Sequence, residues 1–285
     1  MEIHRDRTAG TITISQTRYI QKILTAAGMQ DANTVRTPLD HNITLRKTPE
    51  NESYPEIKPD YQSLLGSLMY AALATRPDIV FAVHKLSQFS SNPSPEHMTA
   101  LKHCYRYLKG TADLGITFSR KNDEDLELYS DADWGNDLDD RRSVSGYVSI
   151  IAGGAATYSS KKQATVAQAT HKAKYMALSH TLCENIWLRT FFSEMGLPPL
   201  TPTSVRCDNQ GTIAYSYSGG YHARSKHIDI KHHFVRECIA SKQASVTHCT
   251  SVDNIADIFT KALPRATHEL LVAKLGMTRV RGGVL

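Results

Sequence analysis

Three aspartates stand where carboxylates from separate elements can converge: Asp131 in LYSDADWG, Asp208 in RCDNQGTIA and Asp257 in DNIADIFTK. The run LELYSD alternates apolar and polar residues and reads as a strand that delivers Asp131 at its end. TSVRCD ends in Asp208 just before a helix, and SVDNIADIFTKAL reads as a short amphipathic helix that carries Asp257. Acids at strand ends and on a facing helix can share one cleft. Carboxylates gathered this way can hold two divalent ions about 3.5–4 Å apart, which activate a water and stabilise the leaving oxygen of a phosphodiester. Hard oxygen ligands suit magnesium or manganese. One aspartate alone means little, because surface aspartates are usually solvated or capping; the weight rests on the three together.

The acids need a frame, and the chain divides into a first unit over residues 1–118, a second over 121–265, and a terminal helix and tail over 266–285. In the first, GTITISQTRYIQKIL gives a strand and then a helix, and the proline-rich polar stretch from Thr37 to Asp60 is an irregular connector. Two helices follow, broken at Thr75-Arg76 and restarted with Pro77. Ser94, Pro95 and Gly110 then read as N-cap, first turn and stop of another helix, with Leu101, Cys104, Tyr105 and Leu108 on its apolar face. The second unit reads as strands 126–131, 144–151 and 155–160, a long helix 166–195, strand 203–208, helices 209–217 and 226–241, strand 244–249 and helix 252–262. That is the pattern of an α/β mixed sheet with flanking helices.

At this point the chain resembles a known family, the copia-type retrotransposon Pol polyproteins. The strings that carry the resemblance are YSDADWGNDLDDRRSVSGYV, SSKKQATVA, ENIWLR, CDNQGTIA, RSKHIDIKHHFVRE and ADIFTKALP, in the family's order. The resemblance implies a ribonuclease H-like fold for the second unit, preceded by a mainly helical remnant of the reverse-transcriptase thumb and connection. It also implies an endonuclease for RNA–DNA hybrids, with magnesium or manganese held by Asp131, Asp208 and Asp257. One position departs. The family's long helix carries Thr-Glu-Ala-Glu-Tyr, whose second glutamate is a metal ligand, whereas this chain reads His171, Lys172, Ala173, Lys174, Tyr175. Glu184, the next carboxylate on that helix, lies about 15 Å further along its axis. Catalysis is therefore expected to be weak or absent. The family's Tyr-x-Asp-Asp polymerase turn does not occur, and DLDDRRS reads as turn chemistry between strands, so no polymerase activity is expected. Met1 falls where the reading frame would lie midway through a reverse transcriptase.

The net charge of +5 is spread evenly, with 13 basic and 11 acidic residues before Ser119 and 20 and 17 from there on, so basic character must act through local patches. Lys161, Lys162, Arg224, Lys226, Lys231 and Arg236 are candidates for lining a groove for an RNA–DNA hybrid. Lys102, Arg106 and Lys109 form a basic stripe that suits either phosphate contact or a solvated helix face. His248 stands where many ribonucleases H carry a histidine that aids product release, or is an ordinary strand-end histidine. His222, His227, His232 and His233 lack the spacing of a zinc site. Trp134 and Trp187 read as core anchors. The five cysteines form no C-x-x-C pair, which suggests reduced thiols in a cytoplasmic or nuclear setting, and no apolar run is of membrane length. Two function classes remain: a hybrid-specific ribonuclease of reduced activity, and a nucleic-acid-binding module that no longer cleaves, with the product of a decayed element as the bland alternative.

Overall fold

The computed structural model describes residues 1–122, 126–197, 202–218 and 226–280, with the backbone alone for 226–230. In chain order the elements open with β1 (Glu2–Asp6), β2 (Thr11–Ser15), α1 (Thr17–Ala26), α2 (Lys58–Ala74), a 3₁₀ turn at Pro77–Ile79, α3 (Val80–Ser87), α4 (Pro95–Gly110) and β3 (Leu114–Ser119). They continue with β4 (Glu127–Ala132), β5 (Val144–Ile151), β6 (Gly154–Lys162), α5 (Thr170–Glu194), β7 (Thr203–Cys207), α6 (Gln210–Tyr217), α7 (Lys226–Ala240) and β8 (Ala244–His248). A 3₁₀ turn at Ile255–Phe259, α8 (Arg265–Lys274) and β9 (Met277–Arg279) close the chain. Two compact units result, one of Met1–Asp123, Ala152–Ala155 and Lys261–Leu285, the other of Glu124–Ile151 and Ala156–Thr260.

The first unit carries the expected helices and, beside them, a four-stranded antiparallel sheet in the order β1-β2-β3-β9, of which the sequence announced only β2. Ser94 caps α4 reciprocally with His97: the Ser94 hydroxyl accepts from the His97 amide, and the Ser94 amide donates to His97 Nδ1 at 2.9 Å. The α4 face of Leu101, Cys104, Tyr105 and Leu108 is buried as its spacing requires. Beneath it the fully buried Arg76 forks onto Asp78 at 2.9 and 2.6 Å and donates to the Thr111 carbonyl at 2.9 Å. Tyr107 donates to Asp78 at 2.7 Å, and His268 of α8 lies 3.1 Å from the Tyr107 hydroxyl. A charge this deep persists because every arm of it is paired.

The second unit is a five-stranded mixed sheet in the order β6-β5-β4-β7-β8, with β4 antiparallel to β5 and parallel to β7, and β7 parallel to β8. This is the mixed sheet with flanking helices that the resemblance implied. The core is built by Leu128 and Val205 of the central strands, Val246 of β8, Tyr175, Leu178 and Leu182 along α5, and Val235 of α7. The 252–262 segment, expected to be a helix, is instead a single 3₁₀ turn. Asn254 caps it by accepting from the Ala256 amide at 3.2 Å and anchors it by donating to the Ser130 carbonyl at 3.2 Å. Trp134 and Trp187 are not core anchors: each is half exposed, Trp134 in the turn after β4 and Trp187 on α5, where it stacks on Phe191. All five cysteines are free. No helix among the described residues is long and apolar enough to cross a membrane.

Candidate catalytic cluster and basic surface

Asp131 is reached because β4 is the sheet's central strand and its last residues are buried. Asp208 follows directly on β7, which runs parallel to β4 beside it, so both carboxylates leave the same edge of the sheet. Asp257 arrives from above on the 3₁₀ turn. The turn can come this close only because β5 presents Gly146, the register partner of Asp131, beneath it. A Cβ on Gly146 would sit 2.7 Å from the Phe259 Cβ and 3.0 Å from the Ala256 carbonyl, well inside contact distance. The three carboxylates offer oxygens that all lie within 4.8 Å of one another, a cluster of the kind that can hold a metal ion.

Lys174, on the first turns of α5, points into this cluster. Its Nζ donates to Asp131 Oδ1 at 2.8 Å and to Asp208 Oδ1 at 2.5 Å. The side chains are 11% exposed for Lys174, 2% for Asp131 and 8% for Asp208, so these ion pairs are shielded from water. Burial alone would lower the Lys174 pKa, but the Asp131 and Asp208 carboxylates overrule it and hold the ammonium above the usual lysine range. Two hydroxyls complete the ring. Thr260 donates to Asp131 Oδ2 at 2.6 Å, and Ser251 donates to Asp208 Oδ2 at 3.2 Å. Thr260 and Ser251 were not among the residues singled out from sequence, where a hydroxyl near an acid has no distinguishing pattern. As arranged, the donor set does not fit a pair of divalent ions: an ammonium already bridges the two strand-end carboxylates through the oxygens that a cation would need.

Among the described residues no further acid joins the cluster. Glu184 accepts from the Tyr147 hydroxyl at 3.0 Å, far along α5, and Asp133 accepts from the Val144 amide. The DLDD stretch is a turn: Asp137 Oδ1 accepts from the amides of Asp139 at 3.0 Å and Asp140 at 3.3 Å, and Arg141 takes a positive φ of 58°. His248 ends β8, exposed, in register with Cys207 and so next to the strand end that carries Asp208.

The basic candidates separate into groups. Lys161, Lys162 and Lys231 line one cavity of about 520 Å³ together with His180 and Cys183. Within it Lys162 is committed to the turn, at 2.8 Å from Asp137 and 2.9 Å from Asp140. Burial and the Lys161 charge both lower the His180 pKa. Arg236 lies half-buried on α7, outside that cavity. Arg224 and His222 lie outside the described residues, as do the side chains of Lys226 and His227. In the first unit Lys102 is exposed, whereas Arg106 donates to the Asn33 carbonyl at 2.6 Å and Lys109 to the Ala32 carbonyl at 2.8 Å. Two of that stripe's three charges therefore hold a loop in place.

No family model matches the chain. Over 281 residues it is 40% identical to the retrovirus-related Pol polyprotein from transposon TNT 1-94 of Nicotiana tabacum, a match that covers 97% of this chain and 21% of that protein. It is 36% identical over 282 residues to the retrovirus-related Pol polyprotein from transposon RE1 of Arabidopsis thaliana, covering 98% and 19%. The chain thus spans about a fifth of the length of these curated relatives. Among solved structures, LC11-RNase H1 in complex with an RNA/DNA hybrid matches 48% of this chain and 94% of its own at 16% identity and a TM-score of 0.37. With relatives of 35–40% identity along nearly its whole length, the chain belongs to the copia-type retrotransposon Pol family.

Proposed function

We propose that the second unit is a ribonuclease H-like module that binds RNA–DNA hybrids and cleaves them weakly or not at all. The observation that supports this reading is the double ion pair of Lys174 with Asp131 and Asp208. An ammonium neutralises the carboxylates, but it offers no open coordination position and does not acidify a bound water, so it supplies neither the nucleophile nor the leaving-group stabilisation of divalent ions. Its charge also repels magnesium or manganese approaching Asp131, Asp208 and Asp257. Family membership and the exposed basic rim at Lys161 support retention of nucleic-acid binding.

The test uses an end-labelled RNA–DNA hybrid with magnesium or manganese. The unmodified chain is expected to cleave orders of magnitude more slowly than the Lys174→Glu variant, which regains a fourth carboxylate. Both are expected to bind the hybrid without metal in anisotropy titrations, with affinity that falls as salt rises. Brisk turnover by the unmodified chain that Asp131→Asn abolishes would overturn the cleavage half of the reading. Absence of salt-sensitive binding to any hybrid would overturn the other half.

A further inference from the structure

We infer that a cleft beside the acid cluster is a stacking subsite for an unpaired nucleobase, with Trp134 as its platform. The inference rests on the nucleic-acid reading above and deepens it. Trp134 comes three residues after Asp131, in the turn that leaves β4, and is 54% exposed. Its position is nonetheless fixed, because the indole Nε1 donates to the Ala167 carbonyl at 3.0 Å. A large aromatic side chain usually finds most of its area buried. Here the polar edge of the ring is tied down while half of the residue's surface stays in solvent.

What the ring faces gives the class of ligand. Trp134 borders an open cleft of about 780 Å³ whose other walls include Gln168, Thr170, His171, Asn209 and Tyr215. An aromatic surface rimmed by amide, hydroxyl and imidazole groups suits a planar molecule with an apolar face and a hydrogen-bonding edge, which describes a nucleobase. The cleft's walls are also chain neighbours of the cluster: Asn209 follows Asp208 directly, and His171 lies about one helical turn before Lys174 on α5. A base stacked inside a duplex has no free face to offer. The occupant is therefore an unpaired base on a strand that runs on from hybrid held at the cluster. Stacking on an aromatic side chain tolerates any base, so the subsite selects strand state rather than sequence.

Trp134 and Trp187 are the only tryptophans in the chain, which makes a direct readout available. Trp187, half exposed and stacked on Phe191, can be replaced by phenylalanine to leave Trp134 as the single indole. This Trp187→Phe protein is titrated with a labelled hybrid that is blunt, that carries a short single-stranded overhang, or that carries the same overhang with abasic sites. Trp134 fluorescence and label anisotropy are read together. Expected is saturable quenching that tracks binding for the base-bearing overhang and is absent for the abasic one. Trp134→Ala is expected to weaken binding of the overhang hybrid roughly ten- to hundredfold, on the scale of one stacked base, and to leave the blunt hybrid's affinity and salt dependence unchanged. Trp134→Phe should keep most of the difference. Quenching that is equal for abasic and base-bearing overhangs, or salt-sensitive binding with no difference between overhang and blunt hybrid, overturns the subsite while leaving the nucleic-acid reading standing. No salt-sensitive binding by any of these proteins overturns both.

Discussion

Replacing Lys174 by methionine keeps most of the stem's volume and removes the charge, and its cost follows from the geometry. The ammonium is the shared partner of two carboxylates that are themselves 2% and 8% exposed. Breaking a buried ion pair by deleting one partner costs about 3–5 kcal/mol, because the remaining charges are left without water or a counter-ion. For a unit of this size that corresponds to a fall in Tm of roughly 10–20 °C. The sign of the pH dependence is set by the Lys174 pKa, which is raised in the fold. A raised lysine contributes stability that is fully present below the unfolded value of about 10.4 and is lost as pH rises through the higher folded value, so at pH 7 the parent keeps all of it. In Lys174→Met the facing carboxylates lose their counter-charge, and acidification, which neutralises carboxylates, relieves part of the loss that the variant suffers at pH 7. The gap between parent and variant should therefore narrow on acidification. Magnesium separates the two readings of the cluster. Lys174→Glu should gain about 2.7 kcal/mol when the ion reaches one hundred times its dissociation constant, whereas the parent, with its cation built in, should shift little. The assay is a thermal melt followed by circular dichroism at two pH values, with and without the metal. A parent stabilised by magnesium as strongly as Lys174→Glu, or a Lys174→Met protein that melts with the parent at pH 7, would refute the reasoning.

Gly146→Ala should cost about 1–3 kcal/mol through overpacking, because the new methyl meets Phe259 at 2.7 Å and Thr260 Cγ2 at 2.8 Å. A melt reads the loss, and an unchanged Tm would show that the 3₁₀ turn can move off the sheet freely. In the first unit, burial lowers the His268 pKa to about 4. A histidine depressed in the fold contributes stability that is present above the unfolded value of about 6.5 and is lost as pH falls toward the folded value. The Tm should decline between about pH 6.5 and 4, and His268→Gln should flatten that decline. Equal pH profiles for the two proteins would exclude His268 as the source.

The acids and the lysine were legible because each is fixed by local pattern. LELYSD must end a strand, TSVRCD must end another just before a helix, and Lys174 sits on the first turns of a long helix. Everything that depended on a distant partner was not. Strand β9 has three residues and reaches β3 by pairing Arg279 with Leu114 across most of the chain, a contact that no window of sequence displays. The 252–262 segment had helical spacing, but Asn254 spends its side chain on the Ser130 carbonyl and the Ala256 amide, and a five-residue turn is what that anchoring leaves. Trp134 read as a core residue because its type usually is one; only the fold shows where its turn leaves the sheet.

The basic residues carry the same lesson to function. Sequence counts a lysine or arginine as a charge available to a phosphate, but the fold decides whether that charge is already committed. Lys162 answers Asp137 and Asp140, Arg106 and Lys109 answer the carbonyls of Asn33 and Ala32, and Lys174 answers the cluster itself. Lys161, exposed at the rim of the cavity shared with Lys231, is differently placed. Counterion release scales with the number of phosphates neutralised, at about 0.9 per contact in the salt slope on duplex DNA. The electrostatic part of any hybrid binding is therefore smaller than the count of basic residues suggests. An aromatic platform such as Trp134 then matters more than it would on a densely basic surface, because stacking does not weaken with salt as phosphate contacts do.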